Sequence, residues 1–192
     1  MSELLKTPLY DVHIRHKGKL IDFGGWELPV QYSGIIEEHH AVRQRAGLFD
    51  VSHMGEIYVT GPDSSKFVQH LVTNDISKME DGQVMYTPMC YTNGGVVDDL
   101  LVYKTDDSYL LVVNASNTDK DFAWISENAE TFDVVTSNVS AKVAQMAIQG
   151  PLAQDILQKL TTKDLGNLKF FFADHECPVA DRTCLVSRTG YT

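Results

Sequence analysis

Residues 90–103 have the sequence Cys-Tyr-Thr-Asn-Gly-Gly-Val-Val-Asp-Asp-Leu-Leu-Val-Tyr, in which a turn signal precedes an apolar run. The triplet Asn93-Gly94-Gly95 predicts a hairpin, because asparagine and glycine adopt positive φ at little cost. The run from 96 to 104 predicts a buried strand, and residues 83–90 predict its antiparallel partner. The predicted fold is therefore built outward from an antiparallel hairpin.

Two adjacent carboxylates, Asp98 and Asp99, interrupt the second strand of this hairpin. Aspartate is depleted in strands, and successive strand residues face opposite sides of a sheet. One of the two carboxylates is therefore expected to point inward. A buried carboxylate must be hydrogen-bonded, paired with a charge or used in chemistry. This pair is the first candidate for a functional site.

The segments around the hairpin alternate between short strands and short helices. Further strands are predicted at 19–23, 56–60, 109–114, 132–136, 142–148 and 183–187. Helices are predicted from Gly34 to Ala46 with Ser33 as the cap, at 62–72, at 117–129, and after Gly150-Pro151. This order predicts an α+β fold of two interleaved ferredoxin-like units with mostly antiparallel sheets. We divide the chain into residues 1–50 plus 138–192, and residues 51–137.

Composition limits the classes of function. The chain has 192 residues, 43% hydrophobic and 22% charged, with a net charge of −10. A negative chain is not expected to bind nucleic acid nonspecifically, since that affinity comes from neutralising phosphates. Three cysteines without a CxxC spacing predict no disulfide framework. With no signal or transit peptide and no apolar run of about 20 residues, we expect a cytoplasmic protein without a membrane partner.

Other chemical patterns are weaker. Ser52 and His53 follow Asp50, but catalytic triads are defined by geometry in the fold, so hydrolase chemistry is disfavoured. Met54, in the same segment, is better suited to contact a flat apolar ligand. Adjacent helical residues such as His39 and His40 point about 100° apart, so no metal site is predicted. Aromatic residues around a carboxylate favour a cleft for a flat heterocycle.

Several segments together resemble one family, the tetrahydrofolate-dependent aminomethyltransferases known as the T-proteins of the glycine cleavage system. The resemblance is carried by residues 7–10 (Thr-Pro-Leu-Tyr), 22–32 (Asp-Phe-Gly-Gly-Trp-Glu-Leu-Pro-Val-Gln-Tyr), 47–56 (Gly-Leu-Phe-Asp-Val-Ser-His-Met-Gly-Glu), 94–100 (Gly-Gly-Val-Val-Asp-Asp-Leu), 113–117 (Val-Asn-Ala-Ser-Asn), 149–151 (Gln-Gly-Pro) and 187–192 (Ser-Arg-Thr-Gly-Tyr-Thr). It implies transfer of a methylene carbon from the aminomethylated lipoyl arm of H-protein to tetrahydrofolate, with release of ammonia.

The resemblance also implies roles for individual residues. By the family motif Asp99 is the functional carboxylate, and Asp98 is its structural neighbour. The positions that the resemblance assigns to the folate site are Met54, Tyr86, Tyr103, Asn114, Phe172, Arg188 and Tyr191. At Phe172, where relatives can carry tyrosine, only stacking is implied. Tyr191 is implied to contact the pterin.

The chain also departs from the family pattern. The family continues beyond Gly-Tyr-Thr with a carboxylate that pairs with the pterin edge and with a C-terminal β-barrel, neither of which is in these residues. We therefore expect the fold to be truncated before the β-barrel and the chain alone to be inactive or nearly so. Two alternatives stay open at this point, a non-catalytic folate-binding module of the same superfamily and the folate domain of a demethylating flavoenzyme.

Overall fold

The computed structural model describes residues 3–190. The α-helices are α1 (Tyr10–Arg15), α2 (Ile35–Gln44), α3 (Ser64–Leu71), α4 (Thr118–Asn128) and α5 (Ala153–Gln158). The strands are β1 (Lys19–Phe23), β2 (Trp26–Gln31), β3 (Gly47–Asp50), β4 (Gly55–Thr60), β5 (Val84–Cys90), β6 (Val96–Lys104), β7 (Ser108–Val113), β8 (Val135–Asn138), β9 (Met146–Gln149), β10 (Phe172–Val179) and β11 (Arg182–Arg188). No helix in this described part is long and apolar enough to cross a membrane.

The first of two compact units contains residues 3–53 and 144–165. It holds two antiparallel strand pairs, β1 with β2 and β3 with β9. Asp50, at the end of β3, accepts hydrogen bonds from Thr7 Oγ1 at 2.6 Å and from the Ser52 amide at 3.0 Å. It also bonds His13 Nε2 at 2.9 Å. This buried carboxylate therefore ties the N-terminal segment and α1 to β3.

The second unit contains residues 54–143 and 166–190. Its sheet has five antiparallel strands in the order β5-β6-β7-β4-β8. Together with α3 and α4, the strands β6-β7-β4-β8 have the order of a ferredoxin-like split β-α-β arrangement, and β5 is an added edge strand. The β10–β11 hairpin joins this edge, where Val84 N donates to Phe171 O at 2.8 Å.

The two faces of this sheet have different cover. The face toward α3 and α4 holds the main core, which includes Ile57, Phe67, Leu111 and Ile125. Helix α3 reaches this core through Phe67, Val68 and Leu71, whose spacing places them on one side of the helix. The opposite face carries a smaller cluster made of Val84, Tyr103, Leu110, Val112 and Ala173. The two faces therefore give the predicted site residues different environments.

The α+β class and the antiparallel pairing are confirmed by the structure, as are the central hairpin and strand 19–23. The prediction of two ferredoxin-like units is half correct. Within residues 3–190, only the second unit has this sheet, because the strands of the first form separate pairs. The division into units also differs from ours, since residues 166–190 group with the hairpin-bearing unit through their contacts with β5.

Some local predictions are wrong. Helix α2 begins at Ile35, and Glu38 Oε1, rather than Ser33, accepts the amides of Tyr32 and Gly34 at 2.6 and 2.9 Å. Four of the α-helices and strands were not predicted from the sequence, namely α1, β2, β3 and β10. The three strands are held by pairing, β2 with the preceding strand β1, β10 with the following strand β11, and β3 with β9.

Candidate functional site

The β5–β6 hairpin positions the two central carboxylates. Its loop closes through Tyr91 N to Gly95 O at 2.7 Å and Gly95 N to Asn93 Oδ1 at 3.0 Å. Gly94 has a φ of +84°, the conformation that the Asn-Gly-Gly signal predicts. The register that follows places Asp99 opposite Pro88 of β5.

The register across the sheet brings the site residues onto one face. Cross-strand partners on neighbouring strands project to the same side of a sheet. One row of such partners contains Tyr86, Leu101, Val112 and Glu56. A second row contains Val84, Tyr103, Leu110 and Tyr58. Asp99 lies two residues before Leu101 on β6 and therefore shares this face, which we call the ligand face.

Asp99 is held by two donors and remains exposed to solvent within its unit. Its Oδ2 accepts a hydrogen bond from the Tyr86 hydroxyl, and its Oδ1 accepts one from Asn114 Nδ2 at 3.1 Å. These two bonds define the orientation of the carboxylate. Since a carboxylate has about four lone-pair sites, it keeps acceptor capacity for a further partner. The structure thus brings Asp99, Tyr86 and Asn114 together.

Asp98 projects to the other face, where it is only 5% exposed. It accepts from Asn114 N at 3.1 Å, Asn114 Nδ2 at 2.9 Å and Asn117 Nδ2 at 3.0 Å. Burial acts to raise the pKa of Asp98, but hydrogen bonds from Asp121, Asn114 and Asn117 outweigh it and hold the pKa below its ordinary value. Asp98 is therefore an ionised structural carboxylate at the N-terminal side of α4.

Tyr103 and Met54 form part of the ligand face. Tyr103 is 3% exposed, and its hydroxyl is hydrogen-bonded with Ser187 Oγ at 3.2 Å. Desolvation raises the pKa of Tyr103, so the phenol stays neutral. Met54 is partly buried against the same cluster. Phe171, which directly precedes β10, also packs against this cluster, whereas the predicted residue Phe172 is not part of it.

The remaining predicted residues lie at the β10–β11 hairpin or beyond the described residues. Lys169 Nζ lies 5.0 Å from the Phe172 ring centroid. Arg188 Nε donates to Leu168 O at 2.8 Å, and its own carbonyl accepts from Phe171 N at 2.7 Å. Arg188 thus has a clear role in holding the hairpin. Tyr191 lies outside the described residues.

Two buried acids on the second unit were not identified from the sequence. Glu56 is 2% exposed, and neither of its carboxyl oxygens has a hydrogen-bond partner. Desolvation raises the pKa of Glu56 to about 7. Asp121 on α4 is fully buried. Its pKa is raised to about 7, mainly by burial and to a smaller extent by the neighbouring Asp98. The signal available for Glu56 was an acidic residue beside the apolar residues of β4, whereas Asp121 follows the polar residues Asp119 and Lys120 and had no such signal.

The disfavoured alternatives gain no support from the geometry. Ser52 Oγ donates to Gln145 O at 3.2 Å, and the His53 ring packs at a steep angle to the rings of Phe23 and Trp26. The serine and histidine therefore form no nucleophile–base pair. Among residues 3–190, no group of three or more His, Cys, Asp or Glu side chains is arranged to hold a metal ion.

The fold and the site define an α+β protein in which a ferredoxin-like sheet presents an oriented, exposed carboxylate on the face opposite α3 and α4. The chain belongs to the GCVT N-terminal domain family, whose model matches residues 9–192. This confirms the family resemblance of the sequence motifs.

Known proteins with the same organisation support this membership. The chain is 61% identical to an aminomethyltransferase of Anoxybacillus flavithermus over 98% of its length, and 56% identical to one of Alkaliphilus oremlandii over 100%. It covers 52% of each relative, so it spans about half of their length. The solved structure of glycine cleavage system aminomethyltransferase T from Bartonella henselae matches 98% of the chain with a TM-score of 0.89 at 31% identity, and 51% of that protein is covered.

A second solved structure shows how widely the fold occurs. The heterotetrameric sarcosine oxidase of Corynebacterium sp. U-96 matches 82% of the chain with a TM-score of 0.58, and 78% of that chain is covered. At 15% identity this likeness concerns the fold alone.

Proposed function

We propose that this chain is the folate-binding part of an aminomethyltransferase. The reaction transfers the methylene carbon of S-aminomethyl-dihydrolipoyl H-protein to tetrahydrofolate and releases ammonia. The relatives of the chain are named aminomethyltransferases, and the solved structure that matches it with a TM-score of 0.89 is named as the glycine cleavage system aminomethyltransferase T. Because the chain spans about half of these proteins, the activity is assigned to the complete enzyme, and we expect the 192 residues alone to give little or no transfer.

The proposed reaction is balanced without an external oxidant or reductant. The carbon–sulfur and carbon–nitrogen bonds of the aminomethyl group break, and bonds from the methylene carbon to N5 and N10 of tetrahydrofolate form. The two hydrogens displaced from these nitrogens are accounted for in the thiol and in ammonia. Cationic iminium character develops on the methylene carbon as ammonia departs, so a fixed negative charge nearby lowers the barrier.

The orientation of Asp99 is the observation that carries this proposal. Tyr86 and Asn114 hold its carboxylate on the ligand face, where the side chain remains accessible. A carboxylate that is oriented before the ligand arrives needs little reorganisation during the reaction. In this role Asp99 stabilises the developing cation, while Tyr86 and Asn114 are its positioning donors.

The surroundings of Asp99 suit a flat heterocycle. The Tyr86 side chain is 55% exposed beside the carboxylate, and Met54 is partly exposed on the same face. An aromatic ring and a thioether provide apolar contact for a pterin, and the carboxylate provides a polar anchor. Tyr103 lies on the same face and supports this surface by packing, because it is buried and its hydroxyl is hydrogen-bonded with Ser187. Phe172, Arg188 and Tyr191 remain proposed contacts from the family pattern.

Transfer can be tested in a hybrid chain, in which residues 1–192 are joined to the C-terminal half of the Anoxybacillus flavithermus relative. Ammonia and 5,10-methylenetetrahydrofolate are measured with aminomethylated H-protein and tetrahydrofolate. Asp99→Asn removes the charge but keeps the shape, and we expect a loss of about 10²–10³ in kcat. Asp107→Asn, at an exposed site in the β6–β7 turn, is the matched control.

The outcomes separate the proposal from its alternative. Transfer by the hybrid that is lost in Asp99→Asn and kept in Asp107→Asn supports it. Full transfer by Asp99→Asn removes this residue from the mechanism. Calorimetric binding of tetrahydrofolate by a folded hybrid that gives no transfer supports a non-catalytic folate-binding module instead.

A further inference from the structure

A buried acid lies directly behind the proposed catalytic carboxylate, on the opposite face of the sheet. Asp121 of α4 is fully buried, and its carboxyl group is within hydrogen-bonding reach of Asp98. No amide or hydroxyl group donates to either oxygen of Asp121, and the Lys120 ammonium lies 3.4 Å from its Oδ1. Two carboxyl groups in contact form a hydrogen bond only when one of them carries a proton and donates it to the other.

The contacts of the two acids show where the shared proton resides. Asp98 accepts three N–H hydrogen bonds from Asn114 and Asn117, which stabilise its ionised form. These bonds leave one lone-pair site of Asp98 for the O–H of Asp121. Asp121 receives no amide hydrogen bond, and its contact with the Lys120 ammonium is long at 3.4 Å, so it is the member of the pair that keeps the proton, in agreement with its raised pKa of about 7.

Asn114 connects this pair to the ligand face. Its Nδ2 donates both to Asp98 Oδ1 at 2.9 Å and to Asp99 Oδ1 at 3.1 Å. The main-chain N–H of Asn114 donates to Asp98 Oδ2 at 3.1 Å. The position of Asp98 therefore determines where the Asn114 amide points, and that amide helps to orient Asp99.

We propose that Asp121, as a neutral acid, is a positioning residue that acts through Asp98 and Asn114 on Asp99. Its importance for transfer rests on the proposed function, whereas the positioning itself rests on this chain of contacts. When Asp121 loses its proton, two negative charges face each other in a buried contact. Asp98 then moves or exchanges partners, and the Asn114 amide is no longer held toward Asp99.

Few ionisable groups face Asp121 from the elements packed around it. Lys120 Nζ lies 3.4 Å from Asp121 Oδ1 and also donates to Val97 O. Strand β6 contributes Asp98, β7 contributes the buried phenol of Tyr109 at its far end, and β8 has no ionisable residue. Glu56 has a similar raised pKa but lies on the ligand face. Asp98 and Lys120 are therefore the charges that act directly on Asp121.

The positioning step can be tested on the 192-residue chain by nuclear magnetic resonance. The carboxyl ¹³C signals of Asp98 and Asp121 and the side-chain amide signals of Asn114 are followed from pH 5 to pH 9. We expect Asp121 to titrate near pH 7 and the Asn114 amide signals to shift with the same midpoint. Asp121→Asn, which donates to Asp98 at every pH, removes that shift. Asp119→Asn, exposed on the same helix, leaves it unchanged.

Two results would overturn the proposal. One is an Asp121 that is already ionised below about pH 5, near the ordinary range of aspartate. The other is an Asn114 amide whose signals ignore the titration of Asp121. Both are read from the unsubstituted chain, so the test does not depend on the folding of any variant.

Kinetics of the hybrid chain provide the functional readout. A group with a pKa of about 7 is about tenfold less protonated at pH 8 than at pH 6, so kcat/KM is expected to lose up to about tenfold over this interval through Asp121. The Asp121→Asn hybrid is expected to lose less, and an equal loss counts against the proposal. If the hybrid transfers nothing at any pH, the proposed function fails, while the resonance titration still decides the positioning role.

Discussion

Asp98 and Asp99 are consecutive residues of β6, yet they occupy opposite faces of the sheet and have different environments. Asp98 is 5% exposed and accepts three N–H hydrogen bonds, whereas Asp99 is exposed and accepts from Tyr86 and Asn114. A single amide nitrogen, Asn114 Nδ2, contacts both carboxylates. The pair thus separates two tasks, since one carboxylate holds the structure and the other is available to a ligand.

This separation predicts unequal effects on stability for two substitutions. Asn114→Ala removes a donor from the buried Asp98 and is expected to lower the free energy of unfolding by about 1–3 kcal/mol. Tyr86→Phe removes a bond to the exposed Asp99 and is expected to change it by less than about 0.5 kcal/mol. Urea unfolding followed by Trp124 fluorescence, in a Trp26→Phe background, reports on the second unit. Equal losses in the two variants would contradict the assignment.

Glu56 predicts a pH-dependent stability of the second unit. Its pKa is raised from 4.5 to about 7 in the folded chain, so the folded state binds more protons than the unfolded state between these values. The contribution of Glu56 to stability is therefore greatest below about pH 4.5. It falls as the pH rises to about 7 and then stays level. Glu56→Gln is expected to remove about 2 kcal/mol of this decrease. Urea titrations at pH 5 and pH 8 measure it.

Asp121 has a pKa raised in the same direction and adds to this decrease. The double variant Glu56→Gln/Asp121→Asn is therefore expected to have a flatter pH profile than either single variant. Unchanged slopes in all three variants would show that these acids are ionised in the folded chain.

Asp50 makes the corresponding prediction for the first unit. Asp50→Ala leaves Thr7, His13 and the Ser52 amide without their shared acceptor, and we expect a loss of about 2–4 kcal/mol. Trp26 fluorescence in a Trp124→Phe background reports on this unit, and the exposed Asp11→Ala is the control. A loss below about 0.5 kcal/mol would show that the network contributes little.

The sign of the pH dependence at Asp50 is opposite to that at Glu56. Burial acts to raise the pKa of Asp50, but hydrogen bonds from Ser52, Thr7 and His13 outweigh it and lower the pKa below 3.8. Its contribution is present above about pH 4 and is lost as the pH falls through the folded-state pKa. Asp50→Ala should therefore cost less at pH 2.5 than at pH 6.

Gly150 predicts a strong steric effect in the first unit. Its φ is +118°, and a Cβ at this position would lie 2.4 Å from Val42 O and 2.7 Å from Arg45 O. Gly150→Ala is expected to lower the free energy of unfolding by at least about 2 kcal/mol, because backbone atoms cannot yield as a flexible side chain does. Gly24→Ala, at φ +61° with open space, is the control and should cost about 1 kcal/mol. Similar costs would mean that the close approach is relieved by a small shift.

Local chemistry made much of the second unit predictable. Asn93-Gly94-Gly95 specified a turn through positive φ, and the apolar residues of β6 and α3 matched the periods of a strand and a helix. Strand alternation also predicted that one aspartate of the pair would be buried. The segment before residue 54 was less predictable, since β2 contains Pro29 and β3 forms only by pairing with β9 about 100 residues later.

By itself the sequence determined the α+β class and the central hairpin, because short-range periodicity and turn chemistry depend on neighbouring residues, and its motifs identified the family. The role of Asp99 as the functional carboxylate was inferred from the family motif and stays a prediction. Only the tertiary structure decided that Asp98 faces α4, that Asn114 joins the two aspartates, and that Glu56 and Asp121 are buried acids. These properties depend on cross-strand register and on helix packing. Packing brings Asp98 next to Asp121, 23 positions later, and register places Glu56 in one row with a residue of β6 more than 40 positions later. Burial and pairing arise from that assembly, so the protonation of each carboxyl group is a property of the folded chain.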